Sequence, residues 1–267
     1  MPIRSHRYQL LVSLLTVALI PICVLIGYQR WLLQAEIREA EEHQSVSTQQ
    51  IADQIESFVE MHRRGIEAAA FQITQSGERS KEKLDAILVA LYRQFPGFIN
   101  MYFADKRATT LAFHPEFNAR GESMVGADFS FREHFKNLLK EPRTYISPVL
   151  KGIGGTEKLL CTIVAPYFDK SGNFDGFVLG ALDLEKIGTI IERAGLDKSI
   201  YAVVTDDQGH AIYAPGWSAL NHPEALDIKA VSQANLVPGL IRLIRHDSSL
   251  TKQPVVTTAA ILASPSW

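Results

Sequence analysis

The sequence predicts an α+β protein in which an N-terminal transmembrane helix and a long stalk helix precede two tandem antiparallel-sheet modules, the second incomplete. Three observations carry this reading. An uncharged run lies near the N-terminus, an apolar stripe at helical spacing follows it, and the pattern changes to short strand-like runs after Pro96. In 267 residues, hydrophobic side chains make up 46% and charged ones 21%, which excludes a disordered chain, a fibre or a multi-spanning membrane protein. The net charge of −2 supplies no phosphate-binding excess, so a nucleic-acid partner is not expected.

Leu10 to Ile26 is 17 residues without a charge, and only Ser13 and Thr16 in it carry polar side chains. Taken from Tyr8 to Tyr28, the run gives about 30 Å of helix, enough for a hydrocarbon core. Pro21 is tolerated in a membrane helix, and Tyr8, Tyr28 and Trp31 sit where interfacial rings belong. A cleaved signal peptide wants a shorter apolar core and a small-x-small site, but this run meets Gly27-Tyr28-Gln29-Arg30-Trp31. An uncleaved anchor is therefore expected at residues 8–28, behind a cytoplasmic stub at 1–7. Arg4 and Arg7 precede the span and orient it with the N-terminus inside. The bulk of the chain then lies on the periplasmic side of a bacterial inner membrane. Cys23 would lie in lipid, away from Cys161, so no disulfide is expected.

Residues 29–75 contain almost no helix breaker. Ile51, Ile55, Phe58, Val59, Ile66, Ala69, Ala70 and Ile73 recur at steps of three and four, one face of a helix. A second helix is expected from Lys81 to Gln94, ended by Pro96. Phe98–Phe103 and Thr109–Phe113 read as strands around an Asp105-Lys106-Arg107 turn. Residues 128–141 are more helical, and Thr144–Leu150, Lys158–Phe168 and Phe174–Leu184 read as further strands. Asp169-Lys170-Ser171-Gly172-Asn173 has hairpin-turn composition. A weak repeat relates Ile99–Pro115 to Ile200–Pro215, each a strand, an Asp turn at Asp105 or Asp206, a second strand and a proline. The expected division is a first module at 76–195 and a shortened second module at 196–267.

Enzyme chemistry finds no foothold. No two of the histidines at 6, 43, 62, 114, 134, 210, 222 and 246 stand three or four apart, so no helical metal pair exists. There is no G-x-S-x-G elbow. Gly152-Ile153-Gly154-Gly155-Thr156-Glu157-Lys158 lacks the G-K-[ST] order of a phosphate loop and reads as a hairpin tip. Asp206-Asp207 reads as a solvated turn. No catalytic residue, metal or cofactor is expected.

The most informative run is Gly126-Ala127-Asp128-Phe129-Ser130-Phe131-Arg132-Glu133-His134-Phe135, followed by Tyr145-Ile146-Ser147-Pro148-Val149, Ile163–Phe168 and Gly176–Leu184. It resembles the extracytoplasmic double-Cache sensors of bacterial membrane receptors over about residues 35–267, most specifically over 126–184. The resemblance implies PAS-like modules, with the ligand in the membrane-distal one. It also implies an Arg anchor for the ligand, matched by Arg132, whose planar fork holds a carboxylate bidentately. In the amino-acid-binding branch Trp and Tyr follow two and three residues later. Here His134 and Phe135 stand there, closer to branches that take small carboxylates. Asp183 matches the acidic position that receives an amino group.

The candidate ligand-binding set is thus Tyr102, Phe113, Phe131, Arg132, His134, Phe135, Tyr145, Ser147 and Asp183. Six of these have a plainer role available: a salt bridge for Arg132, an ordinary half-buried histidine for His134, a strand-end cap for Asp183, and core packing for Tyr102, Phe113 and Tyr145. The expected ligand is a small mono- or dicarboxylate first and an amino acid second, and it is expected within residues 95–185. The expected function is ligand sensing for a transmembrane receptor, as a homodimer pairing through the apolar seam of Leu32, Leu33 and Ile37. The competing reading is a ligand-free scaffold for dimerisation or for docking a periplasmic binding protein. Kinase, chemotaxis or cyclase outputs would need a second membrane helix and a cytoplasmic domain, so the sequence reads as part of a longer receptor.

Overall fold

In the computed structural model, the described residues are 3–152, 158–196, 200, 202–205, 211–213, 242–247 and 254–262. The chain divides into two compact units, residues 1–47 and 48–267. The first helix, α1 (Ile3–Ser76), contains Pro21 and runs through both the apolar and the polar parts of the N-terminal region. It is long and apolar enough to cross a membrane: its most apolar window has a mean hydropathy of 1.4 and buries none of its residues.

Within the second unit, the stripe from Ile51 to Ile73 is buried as its spacing predicts. Val59, Ile66 and Ile73 are fully enclosed, and His62 occupies one position of the same stripe. Gly77, in the left-handed region, ends α1 and donates its N–H to the Ile73 carbonyl at 3.0 Å. Helix α2 (Lys81–Gln94) buries Leu84 and Leu88.

One antiparallel sheet follows. Its strands are β1 (Phe98–Asp105), β2 (Thr110–His114), β3 (Tyr145–Ile146), β4 (Leu150–Lys151), β5 (Leu159–Phe168) and β6 (Phe174–Asp183), in the order β2-β1-β6-β5-β3, with β4 also on β5. Both hairpin turns use the expected aspartates. Asp105 Oδ1 accepts the N–H groups of Arg107 and Thr109, each at 2.9 Å, and Asp169 Oδ1 accepts those of Ser171 and Asn173.

Strand alternation gives the sheet two apolar faces. Met101, Phe103, Cys161, Ile163 and Val178 join α1 and α2 in one core. Tyr102, Ala104, Val164, Phe177 and Leu179 face the other way, with Phe135 and Leu138 of α3 (Glu133–Lys140). Helix α4 (Glu185–Arg193) returns Ile187 and Ile191 to the first core.

Two sequence expectations change in extent. The helical segment expected at 128–141 is only Glu133–Lys140, because residues 126–129 pair by backbone with the Ala108–Thr110 edge. The strand expected at Thr144–Leu150 is two short pieces separated at Ser147-Pro148, since proline cannot donate to the ladder. Beyond Leu196, β7 (Val204–Thr205) pairs with β8 (Ala211–Tyr213), and β9 (Arg242–Asp247) pairs with β10 (Pro254–Ala259). The expected Asp206 turn and the tip at 153–157 lie outside the described residues.

The far end of α1 is tied to the β5–β6 hairpin. Arg79 donates to Asp175 Oδ2 through Nε at 3.0 Å and Nη2 at 2.6 Å, and its guanidinium lies 4.5 Å from the Tyr167 ring centre. Thr74 Oγ1 accepts the Phe168 N–H at 3.2 Å.

Replacing fully buried Ile66 by Ala is expected to cost about 2–5 kcal/mol in chemical denaturation of the full chain in detergent. Phe71→Ala, on the same helix but 66% exposed, is expected to change stability by less than about 0.5 kcal/mol.

Candidate functional site

On the sheet face opposite α1, a cleft of about 420 Å³, counting its open mouth, lies among residues 100–181. Its floor comes from three adjacent strands. Asn100 of β1, Ala181 of β6 and Thr162 of β5 form one cross-strand row. Tyr102 and Leu179 form the next row. Ala181 is small, so the two polar side chains flank a depression.

The aromatic wall is built on Tyr102. Its ring stacks on Phe113 of β2 at 5.2 Å between centres and 7° between planes, and on Phe129 at 5.1 Å and 27°. Phe129 reaches this position because its N–H donates to the Ala108 carbonyl while Thr110 bonds the neighbouring backbone at Gly126 and Ala127. This return of the chain along β2 delivers Arg132 to the cleft rim. The Arg132 N–H donates to the Phe129 carbonyl, and Arg132 then caps α3 in extended conformation, φ −74° and ψ 140°.

Arg132 lines the cleft, and its Nε is buried with no hydrogen-bond partner. Among the described residues no carboxylate pairs with its guanidinium. Burial pulls its pKa below the usual arginine value, with the nearby Tyr102 opposing that shift. His134, on the first turn of α3, is 6% exposed and shares a 3.2 Å hydrogen bond between its Nε2 and the Tyr102 hydroxyl. Desolvation, then the Arg132 charge, lower the His134 pKa to about 4, so the imidazole is neutral at pH 7. Burial raises the Tyr102 pKa. The cleft therefore presents one cation, two neutral hydrogen-bonding groups on Tyr102 and His134, and the buried, unpartnered hydroxyl of Thr162.

Of the nine residues singled out in the sequence, Tyr102, Phe113, Arg132 and His134 come together here. The other five are not among the lining residues. Phe131 is 56% exposed, with its ring centre 5.8 Å from the Arg132 guanidinium carbon. Phe135 packs beneath the site against Phe177. Tyr145 lies on β3, paired with Val164. Ser147 spends its hydroxyl on the backbone, donating to the Pro148 carbonyl and accepting the Thr162 N–H, each at 2.8 Å. Asp183 caps α4 by accepting the Glu185 N–H at 3.0 Å and sits 3.6 Å from Lys158 Nζ. Asn100, Phe129 and Thr162 were not singled out. Asn100 and Tyr102 are two apart on one strand, so alternation alone would have paired them.

No protein-family model matches this chain, and no curated protein does. Solved structures do. An extracellular ligand-binding receptor from Desulfohalobium retbaense aligns with a TM-score of 0.60 at 22% identity, over 81% of this chain and 39% of that one. The ligand-binding domain of the Pseudomonas aeruginosa amino-acid chemoreceptor PctC, in complex with GABA, aligns with a TM-score of 0.57 at 19% identity, over 78% and 90%. That of the Campylobacter jejuni chemoreceptor Tlp3, in complex with L-valine, aligns at 0.59 and 11%, over 84% and 94%. The fold is that of these receptor ligand-binding domains. The chain spans about two fifths of the length of the Desulfohalobium receptor. Within this fold, the cleft occupies the sheet face opposite α1 and α2.

The depressed His134 pKa has a stability consequence. The folded state binds the proton less readily than the unfolded state, so stability is full above about pH 6.5 and falls as pH drops toward about 4. His62 and His114 are shifted in the same direction, chiefly by burial. His134→Gln is therefore expected to flatten, without abolishing, the fall in melting temperature between pH 6.5 and 4.

Proposed function

We propose that this chain is the extracytoplasmic ligand-sensing region of a transmembrane signalling receptor and that its cleft holds a small carboxylate or amino acid by the carboxylate. The observation that carries this reading is Arg132. A guanidinium with a buried, unpartnered Nε is costly unless an anion joins it, and the rim it occupies opens on an aromatic-walled cleft. A carboxylate matches its fork in charge and in geometry. The ligands of the neighbouring sensor domains, GABA and L-valine, each carry one. The first module, residues 76–195, is the ligand-binding part in this reading, and residues 196–267 form the membrane-proximal part.

The apolar segment of α1 anchors the chain in a bacterial inner membrane with the sensor outside. Leu32, Leu33 and Ile37 are exposed on α1, beyond the apolar run, and offer a seam for a second copy. Ligand occupancy is read out as a displacement along α1. The output domain of the whole receptor is a kinase, chemotaxis or cyclase type.

Two measurements test this. In a thermal-shift screen of the full chain in nanodiscs, short carboxylates are expected to raise the melting temperature, and Arg132→Ala is expected to abolish that rise. A variant that keeps every shift would remove Arg132 as the anchor. In membranes, single cysteines replacing Ile37, Ala40 and Gln44 are expected to crosslink with a helical period. These three share one helical face, so equal crosslinking at Ala35, Glu39 and Glu42 on the opposite face, or none at any position, would exclude pairing through this seam.

A further inference from the structure

Resting on the carboxylate reading of Arg132, the geometry points to a narrower ligand class: we propose that the cleft selects a short carboxylate carrying a neutral hydroxyl or keto group, held between Arg132 and Thr162, over the corresponding amino acid.

Two residues lining this one cleft each carry a buried polar atom without a partner, Arg132 Nε and Thr162 Oγ1. The Thr162 backbone is satisfied, since its N–H donates to Ser147 Oγ and its carbonyl accepts the Ser147 N–H. Its side-chain hydroxyl is left over, 5% exposed at the level of the residue, on a strand otherwise filled with apolar groups. A valine would fill the same volume without a stranded hydroxyl, so a partner from outside the chain gives this group its use.

The register says where that partner sits. Thr162 lies across Ala181 from Asn100, so two neutral polar side chains face each other over two strand spacings, about 10 Å. Arg132 arrives from the rim, and Leu160 and Leu179 line the apolar remainder. A ligand that fits has a carboxylate at one end, a short apolar body and a neutral polar group directed at Thr162.

An ammonium group fits less well. None of the described lining residues is acidic, and the charge already present is the positive Arg132. Asp183 is engaged with the α4 N-terminus and Lys158 and is not part of the lining. His134 and Asn100 are neutral, so they would stabilise a second cation only weakly against the arginine.

The test is isothermal titration of the full chain in nanodiscs with lactate, pyruvate, propionate and L-alanine, which share a three-carbon skeleton. Lactate or pyruvate is expected to bind about tenfold more tightly than propionate, the effect of one added hydrogen bond, with L-alanine weakest. Thr162→Val is expected to erase that preference and not to lower the melting temperature of the free protein. L-Alanine binding as tightly as lactate overturns the proposal, as does a Thr162→Val protein that keeps the lactate preference. Either result leaves the anion reading intact if Arg132→Ala still removes all binding. Failure of the anion reading looks different: every carboxylate is ignored by the wild type, or all are bound equally by Arg132→Ala.

Discussion

The packing of α1 on one side of the sheet is the constraint from which the rest follows. Ile55, Val59, Ile66 and Ile73 present a stripe that a strand-alternating sheet can cover with one face only. Every second residue of β1, β5 and β6 is thereby committed to that core. The intervening residues are released to the opposite face, where the short α3 packs. A single strand thus serves both purposes: Met101 and Phe103 secure the helix, while Asn100 and Tyr102 build the cleft. His62 shows how strict the seal is. It is fully buried within the stripe, its Nδ1 engages the Phe58 carbonyl at 2.7 Å, and only a glycine at position 97 leaves room for its ring.

The cleft face works on different terms. Its rigidity comes from aromatic stacking around Tyr102 and from a backbone return along β2, and its polarity from groups held short of full satisfaction. Arg132 caps α3 and His134 stands on its first turn, and each is shifted toward its uncharged form, for the cation by burial and for the imidazole by burial and the neighbouring cation. An arriving negative charge would relieve both effects.

Much of this was legible in the sequence, for reasons that differ by element. The stripe of α1, the limits of α2 and the aspartate turns are local patterns, and local patterns survive folding. The stretch from Pro115 to Phe131 was not legible, because its course is set by hydrogen bonds to Ala108 and Thr110, which carry no periodic signature. The site was read by residue type, and that recovered the Arg, the His and two aromatics at the cleft. Ser147 and Asp183 carry suitable chemistry too, but their polar atoms are engaged by backbone N–H groups. Type alone does not say whether a side chain faces a ligand or a neighbouring peptide. Thr162 was passed over for the complementary reason: in a strand of apolar residues it reads as a β-former, and only its missing partner distinguishes it.

Helix ends ordinarily fray, and the end of α1 at Ser76 is held instead. Gly77 closes its backbone, Thr74 receives the Phe168 amide, and Arg79 grips Asp175 across the hairpin. That junction acts as the origin of a scale. Each residue toward the N-terminus is set against the sheet by counting back from it at about 1.5 Å per residue. An insertion or deletion anywhere between Ile51 and Ile73 would therefore rotate by about 100° everything on its far side, and the stripe would no longer face the sheet. The anchorage converts a chemical feature, one arginine–aspartate pair beside a tyrosine, into a metric one: the length of this helix segment is as much a part of the design as its composition.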